Sequence, residues 1–197
     1  MEIELIQPQT PLQPFDLQIY LEQIKKEIKD TFAKIDKSIM TYDILDTEKS
    51  KQNKLVVLRE KQKQIKIGYI WQYILGNYHL FVNLGIGHSS GLDIISYEKK
   101  IAVEIKNRTN TDNYSSKKSN FDKLAKYKKE HPEFTCIYGN INAETETLTK
   151  RGRVKTIIHN GVEIKQYIGM EFIRYLLGED TDTIISFVKN VLYEHNL

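Results

Sequence analysis

The stretch Gly91-Leu-Asp-Ile-Ile-Ser-Tyr-Glu-Lys-Lys-Ile-Ala-Val-Glu-Ile-Lys106 decides how this chain folds. It reads as two strands joined by a turn. Gly91 to Tyr97 carries Leu92, Ile94 and Ile95. Lys100 to Lys106 alternates, with Ile101, Val103 and Ile105 on one face and Ala102, Glu104 and Lys106 on the other. Period-two alternation turns Glu104 and Lys106 the same way. The polar run Ser96-Tyr97-Glu98-Lys99 suits a hairpin turn, which folds Asp93 back beside Glu104. An acid, ten intervening residues and then Glu-x-Lys therefore bring two carboxylates and one amine to one place.

That set of groups is suited to hydrolysing a phosphodiester with a divalent metal. Hard oxygen ligands hold Mg²⁺ through one or two carboxylates, with water and substrate phosphate completing the shell. Asp93 and Glu104 are the candidate ligands, the backbone carbonyl of Ile105 a third, and Lys106 the group that orients the attacking water and stabilises developing charge. Glu and Lys on an edge strand are otherwise an ordinary solvated face. The flanks favour the chemical reading. Upstream, Gly85-Ile86-Gly87-His88-Ser89-Ser90-Gly91 is rich in small residues, and glycine lets backbone approach a ligand closely. His88 is an accessory candidate there, with a capping role as its bland counterpart. Downstream, Asn107-Arg108-Thr109-Asn110-Thr111-Asp112-Asn113-Tyr114-Ser115-Ser116-Lys117-Lys118 is dense in amides, hydroxyls and cations. Asn107, Arg108, Asn110, Asn113, Ser115, Ser116, Lys117 and Lys118 are candidate contacts to phosphates, sugars or base edges. The alternative is a polar loop ahead of a helix.

The pattern G-L-D-(x10)-E-I-K resembles the signature of the PD-(D/E)XK nuclease superfamily. Leu92 stands where its name has proline. The span from about 66 to 163 is similar to small type II restriction endonucleases, most specifically in the phrase that runs from Glu104 to Lys126. The resemblance implies a Mg²⁺-dependent endonuclease on double-stranded DNA, cutting a short, GC-rich palindrome as a homodimer. It implies one α/β domain over 1–197 with a mixed central sheet and helices on both faces. Such enzymes often place another acid on a helix before the first catalytic strand. Here the matching segment, Lys66 to Gln72, has glutamine where Glu is common, and Glu60 is a weaker substitute. Two rivals stand beside this reading: a repair or junction-resolving nuclease on the same scaffold, and a non-catalytic DNA-binding protein. Retention of Asp93, Glu104 and Lys106 together argues against the second.

Composition agrees with the class. A length of 197 residues suits one well-packed domain. The hydrophobic share of 40% and mean hydropathy of −0.47 are those of a globular chain, and no run approaches the ~18 apolar residues of a membrane span. The start Met1-Glu2-Ile3-Glu4-Leu5 lacks the basic and apolar regions of a signal peptide, which points to the cytoplasm, and the wealth of Lys, Ile, Asn and Tyr to a prokaryotic genome. The lone Cys136 excludes a disulfide framework or a cysteine-rich zinc site, and its apolar neighbours predict burial. A net charge of +3 says little. Its distribution says more: ten Lys or Arg between Lys99 and Lys129 face only Glu104, Asp112 and Asp122, an excess that a polyanion would need.

The remaining elements follow from periodicity. Residues 1–14, with three prolines, read as an arm. Asp16 caps a long amphipathic helix over 15–40, with an apolar stripe from Leu17 to Ile39; packing onto its own domain is the plainer expectation, and a dimer contact the other. Residues 41–54 read as loop. A second helix is expected over 55–75, a strand over 79–84, a helix over 118–129 stopped by His131-Pro132, and a strand over 134–139. A loop over 140–152 leads to a hairpin over 154–168 turning at Asn160-Gly161. His159 reads as a turn residue. Two helices, over 170–177 and 181–194, close the chain.

Overall fold

The structure is a computed structural model, and it describes residues 14–33, 47–85, 87–108, 114–142 and 153–195. Helix α1 spans Leu17–Phe32 and α2 Glu48–Gly76. Strands β1 (Val82–Asn83), β2 (Ile94–Ser96) and β3 (Ile101–Arg108) follow. Then come α3 (Tyr114–Glu130), β4 (Thr135–Asn142), β5 (Val154–His159), β6 (Val162–Ile168), α4 (Met170–Leu177) and α5 (Thr181–Glu194).

The strands form one sheet in the order β1-β2-β3-β4-β6-β5. The β3–β4 and β4–β6 pairs are parallel and the others antiparallel, so the sheet is mixed. Alternation along β3 divides the core. Ile101, Val103 and Ile105 join Ile24, Ile28, Ile74, Phe172 and Ile184 in a layer built with α1, α2, α4 and α5. Ala102 faces the opposite way, among Leu92, Ile95, Phe121, Leu124, Tyr138 and Ile164, in the layer closed by α3. The fold is the expected α/β sandwich of a mixed sheet between helices.

Several local expectations are met. Asp16 caps α1, its carboxylate accepting from Gln18 N–H at 2.8 Å and Ile19 N–H at 3.1 Å. The buried stripe of α1 packs on its own domain through Leu21, Ile24, Ile28 and Phe32. Asn160 (φ 50°) and Gly161 (φ 80°) both adopt the left-handed conformation that a tight type I′ hairpin requires. Cys136 is buried, which pushes its thiol up to about 11. Among the described residues no helix is long and apolar enough to cross a membrane.

Other expectations need correction. Helix α2 begins at Glu48, not 55, because Thr47 caps it: its hydroxyl accepts from Ser50 N–H at 3.2 Å. The strand expected over 79–84 shrinks to Val82–Asn83 at the sheet edge. Helix α3 begins at Tyr114, so Ser115, Ser116, Lys117 and Lys118 lie on its first turns and not in a loop. Strand β4 continues to Asn142, three residues past the expected end. The arm expected at the N-terminus, apart from Pro14, lies outside the described residues, as do positions 34–40 of the first expected helix, 41–46 of the first loop and 143–152 of the second.

Candidate active site

Asp93 sits immediately before β2, held from both sides by backbone. Its N–H donates to Val103 C=O at 3.1 Å, and its C=O accepts from Leu84 N–H at 2.9 Å. The pairing of Ile94 with Val103, carried one position further, sets Asp93 opposite Glu104. The hairpin thus brings the acids together as the sequence predicts. Asp93 Oδ2 accepts from Ile105 N–H at 2.6 Å. An extended strand turns the N–H and C=O of one residue toward the same edge, so the Ile105 carbonyl also borders Asp93.

Glu104 is only 3% exposed. Its Oε1 accepts from Lys106 Nζ at 2.8 Å, the pair that two-residue spacing on one strand face predicts. Its Oε2 is buried and, among the described residues, has no hydrogen-bond partner. An unsatisfied buried carboxylate oxygen is costly. The titration behaviour has the same origin. Burial pushes the Asp93 carboxyl up, against the opposing pull of Ile105 N–H, Lys106 and Lys123. Burial and then the charge of Asp93 push Glu104 up, while Lys106 and Lys123 oppose. Two carboxylates therefore share a desolvated corner that favours an added positive charge.

The donor set suits a hard dication. Among the described residues no cluster of three or more His, Cys, Asp or Glu side chains is suited to hold a metal, which leaves this corner two carboxylates, one of them with an unpartnered oxygen, and a nearby carbonyl. Mg²⁺ is commonly held by that few protein oxygens, its remaining positions going to water and phosphate.

The accessory candidates have structural partners. Gln72 Nε2 donates to Asn83 Oδ1 at 3.3 Å, in a polar cleft of about 280 Å³ that Lys66, Tyr69 and Tyr73 also line. Asn83 pairs with Ile94, so Gln72 lies next to the strand that Asp93 precedes. His88 is exposed and organises the turn into Asp93. Its Nδ1 lies 2.8 Å from Ser90 Oγ, and its carbonyl accepts from Gly91 N–H at 2.8 Å. Glu60 is an exposed helix position. Asn107 ties α2 to the sheet, donating to Gln64 C=O at 3.3 Å and accepting from Asn142 Nδ2 at 2.8 Å. Arg108 ends β3. Asn110 and Asn113 lie outside the described residues. Ser115, Ser116 and Lys117 are exposed on the first turns of α3, and Lys118 Nζ donates to Asp122 at 2.9 Å.

Periodicity did not single out two features. Lys123 on α3 acts on both carboxyls, and its stem passes Gly91, where a Cβ would come within 3.1 Å of its Cδ and 3.2 Å of its Cε. No periodic signal marks it in the sequence: its neighbours one turn away, Ser119, Asn120, Lys126 and Tyr127, are mostly polar. His159 is more than a turn residue: its Nε2 lies 2.7 Å from Asp122 Oδ1, and Asn160 Nδ2 donates to the same oxygen at 2.9 Å. These bonds fasten the β5–β6 turn to α3 and hold the Asp122 carboxyl down at about 2, with His159 the leading cause.

A comparison with family models matches residues 12–191 to the Eco47II restriction endonuclease, a span that takes in both core layers and the carboxylate corner. The chain belongs to the Eco47II restriction endonuclease family. No curated protein matches it. Membership makes this restriction endonuclease a type II site-specific deoxyribonuclease, with DNA as its substrate.

Proposed function

We propose that the chain is a Mg²⁺-dependent endonuclease that cuts both strands of a short, GC-rich palindrome as a homodimer, with Asp93, Glu104 and Lys106 as its catalytic residues. The observation that carries this reading is the pairing of half-buried Asp93 with buried Glu104, whose Oε2 is unpartnered among the described residues. Asp93 and Glu104 would hold the cation, with the Ile105 carbonyl as a further oxygen. When bound, the cation lowers the pKa of a coordinated water and draws charge off the phosphate. Ile105 N–H fixes Asp93 Oδ2 and keeps that carboxylate in register with Glu104. Lys106, already directed at the pair, orients the attacking water and stabilises the charge that builds on the phosphate oxygens. The excess of cations along β3 and α3 supports a polyanionic substrate.

Digestion of a defined plasmid in Mg²⁺, followed by sequencing of the ends, tests the reading. Discrete bands with a common palindromic end sequence are expected. Asp93→Ala and Glu104→Ala should abolish cutting while DNA binding largely persists, because losing a ligand empties the metal site without removing the phosphate contacts; in Ca²⁺ the parent should bind and leave the DNA whole. Lys106→Ala should also be inactive. Cutting at the parental rate by either carboxylate variant sinks the assignment.

A further inference from the structure

We propose that Lys123 is a second cationic arm of this site, one that reaches across from α3 to bind the scissile phosphate of the DNA. The proposal rests on the assignment of Asp93, Glu104 and Lys106 made above.

Placement is the first argument. Phe121, Leu124 and Ala125 bury one face of α3 in the layer that contains Ala102, on the sheet face that alternation also gives to Glu104 and Lys106. Lys123, between them, is half-buried, and its stem runs alongside Gly91, two residues ahead of Asp93. Gly91 has no side chain, which leaves room for that stem, and its φ of +67° favours glycine there. Lys118, Lys126 and Lys128 behave differently: half-buried Lys128 donates to the Pro132 and Phe134 carbonyls. Lys118 and Lys126 are 59% and 77% exposed and pair along the helix with Asp122 and Glu130.

Charge is the second argument. Lys106 Nζ is bound to Glu104 Oε1. With Lys123 it balances the two carboxylates. A dication held by those carboxylates would leave the corner with an excess of two positive charges. A phosphodiester oxygen is the anion that the reaction brings there, and Lys123, approaching over Gly91, is placed to meet it. Asp122, adjacent in sequence, fixes the depth of this arm, because His159 and Asn160 hold it at the neighbouring hairpin turn.

Lys123→Met keeps the aliphatic stem on Gly91 and removes only the charge; Lys123→Arg keeps the charge. Lys123→Met should give the parental bands at a rate lower by roughly a hundredfold, the scale set by loss of one donor to a developing oxyanion. Its binding in Ca²⁺ should lose about one phosphate's worth of salt dependence. Lys123→Arg should restore most of both. A duplex carrying an uncharged methylphosphonate at the scissile position should lower parental affinity more than that of Lys123→Met, which has already lost one contact to that phosphate. A parental salt slope in Lys123→Met, or equal sensitivity of both proteins to the methylphosphonate, overturns the proposal even if the rate falls, since a purely structural lysine would behave so. A parent that leaves plasmid whole in Mg²⁺ overturns the underlying site as well; a parent that cuts while Lys123→Met keeps the parental slope overturns this proposal alone.

Discussion

At the scale of single residues, the carboxylate corner costs the folded chain stability. Asp93 and Glu104 both titrate above their ordinary range, with burial as the leading cause. For an acid, a folded value above the unfolded one is a penalty on the folded state. The penalty is fully present above the raised values and disappears as pH falls below the ordinary carboxylate range near 4. Asp93→Asn removes one charge and keeps an oxygen to accept from Ile105 N–H. Without metal at pH 7 this variant should melt above the parent, by about 2–4 °C for each kcal/mol regained. The gap should close on acidification toward pH 4. Added Mg²⁺ should raise the melting temperature of the parent and not of the variant. A variant that melts below the parent at pH 7 would show that the corner is not strained by its charges. Glu104 and Lys106 were legible in the sequence because strand alternation is local and strict. Lys123 was not, since nothing within α3 reports which loop its stem will cross.

At the scale of elements, what could be read was what local chemistry marks. The β5–β6 hairpin was visible in Asn160-Gly161, and the β2–β3 hairpin in its alternation. The start of α2 was not visible, because residues 48–54 are polar helix formers without an apolar stripe, and only the Thr47 cap announces them. The end of β4 was hidden for a related reason: Asn140 and Asn142, which follow Gly139, look like loop. The structure explains why glycine stands in the strand. Phe172 of α4 occupies the space beside it, and a Cβ on Gly139 would come within 2.1 Å of Phe172 Cζ. Gly139→Ala should therefore overpack this contact and cost about 1–3 kcal/mol in chemical denaturation. Pairing it with Phe172→Leu should recover part of the loss. An unchanged midpoint for Gly139→Ala would mean that α4 is free to move away from β4.

At the scale of the whole molecule, the proposed cleavage of both strands is a matter of symmetry. A palindrome cut on both strands needs two equivalent sites, and each chain supplies one carboxylate corner, so a two-fold pair of chains is the economical solution. We propose that helix α2 supplies the surface for it. Its 29 residues extend about 43 Å at 1.5 Å per residue, yet its buried positions are Ile70, Ile74, Leu75 and Gly76, all near its C-terminal end. Upstream, in the N-terminal half, Val56 and Val57 are 61% and 66% exposed. We propose that the second copy packs on these two valines, on the half of the helix that the core leaves uncovered. Val56→Lys with Val57→Lys should then convert a dimer into a monomer in sedimentation velocity at micromolar concentration. Folding should survive, because neither residue is buried within the chain. Double-strand cutting of plasmid should collapse while binding of a single duplex weakens less. A parent that sediments as a monomer and still cuts both strands would defeat the dimer, and a double variant that remains dimeric would move the interface off α2.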